Sequence, residues 1–195
     1  MQNVDFKFDY DGYGTAIIDF DVDGKHYQFM PTYMGGNPLN SLITGLYCLD
    51  SNEELDVTTE TECCKKGFYT RHRMIWEGEP DGQTVVLSKI EDDLRIEICH
   101  FSDKEWYGGK IYAFCDLTPV IDVHTSFGDF KNKVCRETLR VLHKYGIAGY
   151  AYSWDDSIEE FPFAKFLYLI GNRTHYGDED LRVSSFEEEI GLLTK

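Results

Sequence analysis

Apolar and charged side chains alternate along the first thirty residues, and this period of two constrains the fold more than any other feature of the chain. Apolar residues recur at every second position of three segments: Phe6, Phe8, Tyr10, Ala16, Ile18, Phe20, Val22, Tyr27 and Phe29. Successive side chains of a strand point to opposite faces, so the pattern predicts strands with one buried and one hydrated face. Asp23-Gly24 is a strong two-residue hairpin signal. We therefore predict an antiparallel meander with an acidic outer face.

The middle of the chain continues with strand patterns. Predicted strands cover residues 68–77, 84–90 and 94–101, and two shorter ones cover 111–114 and 120–123. The turn at 79–82 combines a Pro, which presets φ, with a Gly, which tolerates positive φ. Short connections of this kind join antiparallel neighbours, so these segments favour antiparallel pairing.

Two segments have helical periodicity and capping signals. Asn37 caps a helix in which Pro38 takes the first position, and leucines at helical spacing extend it to Leu49. Ser126 begins a longer helix, and Gly146 ends it. The amphipathic stripes of both segments predict helices that pack one face on the sheet.

The C-terminal third of the chain is less regular. Residues 148–154 predict a strand, and residues 161–170 fit either a buried strand or a helix, because periodicity alone does not separate the two. Ser185 and Glu188 have the spacing of a capping box and predict a closing helix.

Together these patterns predict an α+β fold, in which two or three helices pack on a mainly antiparallel, aromatic-rich sheet. The chain has 195 residues, which suits one domain or two small ones that share an interface, and we predict a single α+β domain over 1–195. Thirteen Phe and thirteen Tyr support the sheet, because aromatic side chains pack well across strands.

The net charge of −16 restricts the partners of the chain, and it is spread unevenly. Residues 1–62 hold twelve acids against Lys7 and Lys25, whereas residues 63–76 hold four basic residues and no acid. Such a field repels nucleic acid and anionic membranes and attracts basic proteins. We expect the basic stretch to balance the acidic N-terminal sheet. A basic ridge on the long helix, formed by Arg136, Arg140 and Lys144, is either solvated or paired with acids elsewhere.

Further sequence features indicate a cytoplasmic protein. The first residues have no basic region followed by an apolar one, so we expect no secretory signal. No run of 18 apolar residues is present, so we expect no membrane span. Six cysteines are scattered without a pairing pattern, as is typical of reduced thiols.

No complete catalytic, metal or cofactor motif appears, and we predict none of the three. Asp19, Asp21 and Asp23 resemble the opening of a calcium loop, but the position that needs a bidentate Glu is Met30. The alternative interpretation is an acidic solvent face that ends in a hairpin. For an enzyme, the remaining candidate is a cleft lined by Trp and Tyr near Trp154, with Asp155 and Glu159 as carboxylates for a hydrolase.

The order of turns and core residues resembles that of small acidic bacterial proteins of unassigned function, some of which are similar to immunity proteins against secreted polymorphic toxins. The segments that carry the resemblance are Asn37-Pro38-Leu39, Trp76–Gly82, Leu94–Ile98, Gly149-Tyr150 with Trp154, and Glu160-Phe161-Pro162 with Leu167 and Leu169. The resemblance transfers no catalytic residue. It implies a stoichiometric inhibitor with an acidic face against a basic toxin domain.

We therefore predict a non-catalytic, cytoplasmic binding protein that engages a basic protein partner. The candidate contact residues are Asp9, Asp19, Asp21, Asp23, Glu53, Glu54 and Asp56. The rival hypotheses are the carboxylate-based hydrolase and a self-associating subunit with an exposed apolar patch at residues 161–170.

Overall fold

Two antiparallel sheets and three helices make up the described part of the chain. The computed structural model describes residues 1–32, 36–51, 63–66, 69–78, 81–102, 117–154, 161–171 and 191. Its strands are β1 (Val4–Tyr10), β2 (Ala16–Val22), β3 (Lys25–Phe29), β4 (Cys63–Lys66), β5 (Tyr69–Glu77), β6 (Asp81–Ile90), β7 (Asp93–Ser102) and β8 (Pro119–Ser126). Its helices are α1 (Pro38–Ser51), α2 (Phe127–Trp154) and α3 (Phe163–Leu169). The predicted α+β class is confirmed, with the strands divided between two sheets.

The N-terminal meander forms the first sheet, in the order β1-β2-β3. Asp23 and Gly24 form the tight turn between β2 and β3, with φ values of 50° and 86°. Both residues of such a turn need positive φ, which Asp tolerates and Gly adopts freely. The alternating apolar residues of β1 and β2 are buried, as predicted from the period of two.

The second sheet has five strands in the order β4-β5-β6-β7-β8, and every neighbouring pair is antiparallel. The inner face of this sheet is apolar: Met74, Trp76, Val85, Leu87, Leu94, Ile96 and Ile98. At the start of the chain, the backbone N–H of Gln2 donates to the carbonyl of His124 at 2.6 Å. Gln2 therefore places the first residues of the chain against β8.

Side chains of both sheets and of the three helices meet in one cluster of buried residues. Phe20 of the first sheet stacks on Phe130 of α2, with ring centroids 6.2 Å apart. Phe29 lies 6.4 Å from Trp76 of the second sheet. Gly45 of α1 packs so closely on β5 that an added Cβ would lie 2.5 Å from the His72 ring. The core thus lies between the inner faces of the two sheets and the helices.

The capping signals place the helix starts as predicted. The Asn37 side-chain oxygen accepts a hydrogen bond from the Leu39 backbone N–H at 3.0 Å. At α2 the Ser126 hydroxyl accepts from the Asp129 N–H, and Asp92 accepts from the Gly128 N–H. These bonds satisfy backbone donors that a helix leaves without an internal partner.

Helix α2 continues beyond the predicted end, although Gly146 interrupts it with φ 68° and ψ 174°. The prediction of a strand at 148–154 is wrong, because these residues form the last turns of α2. Tyr150 and Trp154 are four residues apart, and both are buried, whereas Tyr152 is 64% exposed. In a helix this spacing places Tyr150 and Trp154 on one face, and that face packs on Tyr10.

Residues 161–170 adopt the helical alternative, as α3. Phe161, Phe166, Leu167 and Leu169 are buried, so this segment does not form the exposed apolar patch that a self-associating subunit would need. Among the helices that the structure describes, none is both long enough and apolar enough to cross a membrane. The predicted strand at 111–114 and the closing helix from Ser185 lie outside the described residues.

Candidate functional site

The outward side chains of the first sheet form a surface that we call the acidic face. Its members are Asp5, Lys7, Asp9, Asp19, Asp21, His26 and Gln28. The strand register places Asp5, Asp21 and His26 in one row across the three strands, and Lys7, Asp19 and Gln28 in the next row. The face has four carboxylates and one lysine, so its charge is negative.

Helix α2 neutralises the two carboxylates of β1. The Lys144 ammonium lies 2.7 Å from Asp9, and the Tyr145 hydroxyl donates to Asp9 at 2.5 Å. Partial burial raises the pKa of Asp9, but these hydrogen bonds outweigh it and hold the pKa below its ordinary value. Lys133 pairs with Asp5 at 2.8 Å. Asp9, a predicted partner contact, is therefore engaged within the fold.

Asp19 and Asp21 differ from these two, because neither forms an ion pair with a Lys or Arg of the described ranges. The His26 ring lies between them, with Nε2 3.3 Å from Asp19 and Nδ1 3.3 Å from Asp21. Gln28 donates to Asp19 at 3.0 Å. In its neutral form an imidazole has one N–H donor, so in that form His26 satisfies one carboxylate at most. The side-chain partners of the two carboxylates in the described ranges are thus His26 and Gln28.

Asp23 has a local role in its hairpin. Its carboxylate accepts a hydrogen bond from the Asn3 backbone N–H at 2.9 Å, which ties the β2–β3 turn to the start of β1. The structure thus groups Asp19 and Asp21 at the centre of the face and places Asp23 at its end. Glu53, Glu54 and Asp56 lie outside the described residues.

Polar side chains of α2 also cover the open edge of β1, a role that the sequence patterns did not reveal. Glu137 accepts from the Phe8 N–H at 3.0 Å, and the Arg140 guanidinium donates to the Phe8 carbonyl. Lys133 donates to the Val4 carbonyl at 2.7 Å. Unpaired edge groups are a template for association with another strand, so these contacts protect the edge. The basic ridge is thus paired in part, through Arg140 and Lys144.

The outer face of the second sheet presents a second concentration of charge. Arg71, Ser88, Arg95 and His124 form one row across four strands and line an open concavity of about 300 Å³, together with Ile90, Asp93 and Glu97. This face was not singled out from the sequence, because only the register brings these side chains together.

Ion pairs compensate the charges of this second face. Arg95 makes two hydrogen bonds to Asp122, at 2.8 and 2.9 Å, and also lies 3.1 Å from Glu97. The bond from Arg95 is the main reason that the pKa of Asp122 lies below its ordinary value. Arg71 lies 3.8 Å from the same Glu97. The basic stretch was expected to balance the first sheet, whereas its Arg71 pairs within the second.

Of the three residues named for the rival enzymatic cleft, the structure describes Trp154. Trp154 is only 2% exposed, and its ring packs against Tyr10. Tyr10 accepts a hydrogen bond from Asn37, and Tyr150 donates to Asn40 at 2.6 Å, so the hydroxyls of these two tyrosines beside Trp154 are bonded within the fold. Asp155 and Glu159 lie outside the described residues.

Metal-binding geometry is also not found in the part of the chain that the structure describes, where no group of three or more His, Cys, Asp or Glu side chains is arranged to hold a metal ion. Strands flank the Asp19–Asp23 segment, and the Asp23 carboxylate is engaged by Asn3. This arrangement favours the solvent-face interpretation of the segment over a calcium loop, which helices flank.

By its geometry, then, the chain is an α+β protein. The acidic face of its first sheet is negatively charged, and ion pairs compensate the charges on the outer face of its second sheet. Searches with family models, curated proteins and solved structures found nothing that matches this chain. Any functional conclusion therefore depends on the charges, contacts and exposure of its own side chains.

Proposed function

We propose that this protein is a non-catalytic binding protein of the bacterial cytoplasm that engages a basic protein partner through its acidic face. The observation that carries the proposal is the carboxylate pair of Asp19 and Asp21, which has only His26 and Gln28 as side-chain partners in the described ranges. A surface rich in Lys and Arg complements this pair. Toxin domains that act on nucleic acid need such a surface, so we propose the neutralising of a secreted toxin as the specific role.

The arrangement of these charges is unfavourable for the isolated chain. Asp5 lies directly opposite Asp21 in the strand register. Two like charges directly opposite each other on neighbouring strands destabilise a sheet, by less than about 1 kcal/mol. Lys133 relieves the repulsion at Asp5, but no comparable cation reaches Asp21 within the described residues. A partner's cation over Asp19 and Asp21 would remove this repulsion on binding. The relief of the repulsion would then contribute to the free energy of binding.

Long-range electrostatics supports the same proposal. The chain has a net charge of −16, so a basic partner is attracted before contact. Steering of this kind raises association rates by roughly 10–10³-fold and weakens as salt shortens the Debye length, which is about 8 Å at physiological ionic strength.

The proposal predicts that a gene beside this one encodes a basic toxin domain, and association kinetics with that domain would test it. We expect Asp19→Asn with Asp21→Asn to lower the association rate about tenfold at low salt and to flatten its salt dependence. The matched control is Glu91→Gln with Asp129→Asn, which removes the same charge from positions outside the acidic face. Equal rates for the two double variants would overturn the proposal, as would the absence of binding by the unmodified chain.

A further inference from the structure

Two exposed tyrosines form a contact at the end of the first sheet. Tyr13 is 58% exposed and Tyr152 is 64% exposed. Their rings meet edge to face, with centroids 5.7 Å apart and an interplanar angle of 60°. The described residues include other large exposed apolar side chains, namely Met1, Met30, Ile90 and Val120. Among these large exposed apolar side chains of the described residues, Tyr13 and Tyr152 are the two aromatic ones, and their rings are in contact.

The backbone on both sides of this tyrosine pair is anchored. Asp11 N–H donates to the Thr15 carbonyl at 3.0 Å and closes the β1–β2 turn that contains Tyr13. The Gly14 N–H donates to the Ser153 carbonyl at 2.8 Å, which joins that turn to α2 beside Tyr152. The tyrosines therefore occupy a prearranged position, and a partner that binds them loses little conformational freedom on their account.

Exposed tyrosines held in this way are the side chains that dominate protein interfaces. A tyrosine gives a large contact area with only two rotatable angles, and its ring face attracts the ammonium of Lys and the guanidinium of Arg. The exposed tyrosine pair also leaves apolar surface in contact with water. Contact with a partner would remove that surface from water, which is favourable for binding.

The charge around the tyrosine pair selects the partner. Asp11, two residues before Tyr13, is exposed and forms no ion pair with the described residues. The outward carboxylates of Asp19 and Asp21 lie on β2, the strand that follows the same turn. A second copy of this chain would bring another −16 to the contact, so a basic chain is the favoured occupant.

We propose that Tyr13 and Tyr152 anchor the basic partner by taking an arginine- or lysine-containing segment across their rings, an inference that rests on the proposed function. The acidic face attracts the partner and sets the association rate. The tyrosine pair holds the partner and sets the dissociation rate. The two surfaces therefore affect different kinetic constants, and they can be tested separately.

A nona-arginine peptide serves as the probe, with association and dissociation measured on the immobilised full chain at two salt concentrations. We expect Tyr13→Ala with Tyr152→Ala to weaken binding about tenfold, through faster dissociation, because two exposed cation–ring contacts are lost. Tyr13→Phe with Tyr152→Phe keeps the rings and stays within about twofold of the unmodified chain. Val120→Ala, an exposed apolar truncation on the other sheet, serves as the control and leaves binding unchanged.

Each outcome separates the two proposals. If the alanine variant dissociates as slowly as the unmodified chain while Asp19→Asn with Asp21→Asn still slows association, the tyrosine proposal is overturned and the proposed function stands. If the aspartate variant binds like the unmodified chain, the proposed function fails. Light scattering that shows a dimer of the unmodified chain and a monomer of the alanine variant would assign the pair to self-association and would also overturn the proposal.

Discussion

Replacement of Glu137 by Ala tests how α2 protects the edge of β1. Glu137 is mostly buried, and its carboxylate accepts from the Phe8 N–H at 3.0 Å and pairs with Arg140 at 2.8 Å. The Phe8 N–H points away from β2, so the sheet offers it no other acceptor. An orphaned buried donor costs about 1–3 kcal/mol, and the gain in helix propensity from Ala is only a few tenths.

We therefore expect Glu137→Ala to lower the free energy of unfolding by about 2 kcal/mol. For a domain of this size, 1 kcal/mol shifts Tm by about 2–4 °C, so Tm should fall by about 4–8 °C in differential scanning calorimetry. Glu137→Gln keeps an oxygen acceptor for the Phe8 N–H and should lose less than half as much.

Arg136→Ala is the matched control, because Arg136 lies on the same ridge and is exposed. Its loss should change Tm by about 2 °C or less, because a substitution at a surface position is expected to change stability by about 0.5 kcal/mol at most. A Glu137→Ala variant as stable as this control would refute the reasoning that the helix satisfies the edge of β1.

Two further predictions concern Asp9 and Gly146. The pKa of Asp9 is below its ordinary value of 3.8, so its contribution is present above about that pH and is lost as the pH falls through the lowered folded-state value. The Tm difference between the unmodified chain and Asp9→Asn should thus be largest near neutral pH and shrink in acid; a constant difference from pH 7 to pH 2 would contradict this. Gly146 has φ 68° and ψ 174°, a region that is essentially restricted to glycine, and open space around its Cα, so Gly146→Ala should cost about 1–3 kcal/mol through backbone strain alone, measured by urea unfolding. A stabilised variant would show that the kink is not required.

Much of the fold could be predicted from local patterns. The period of two in β1 and β2 shows which face is buried, because a slip of one residue would expose Phe6, Phe8 and Phe20 and bury the aspartates. The Asp23-Gly24 turn and the Asn37 cap are equally local, since each depends on the conformational preference or hydrogen bond of one or two residues.

Non-local packing decided the elements that the patterns misassigned or left open. Residues 148–154 contain Tyr150, Tyr152 and Trp154 at alternate positions, which also suits a strand. A strand would place all three on one face, whereas the helix packs Tyr150 and Trp154 on Tyr10, 140 or more residues earlier in the chain, and leaves Tyr152 exposed. Residues 161–170 are ambiguous for the same reason, because their apolar run fits a strand as well as a helix.

The candidate site divides in the same way. The sequence by itself determined that Asp9, Asp19 and Asp21 lie on one outward face, because alternation along a strand is a local property. Only the tertiary structure decided that Lys144 neutralises Asp9 while Asp19 and Asp21 meet no Lys or Arg of the described ranges, and that Tyr13 meets Tyr152. Charge compensation and ring contact depend on distances between residues far apart in the chain, and a linear pattern does not contain those distances.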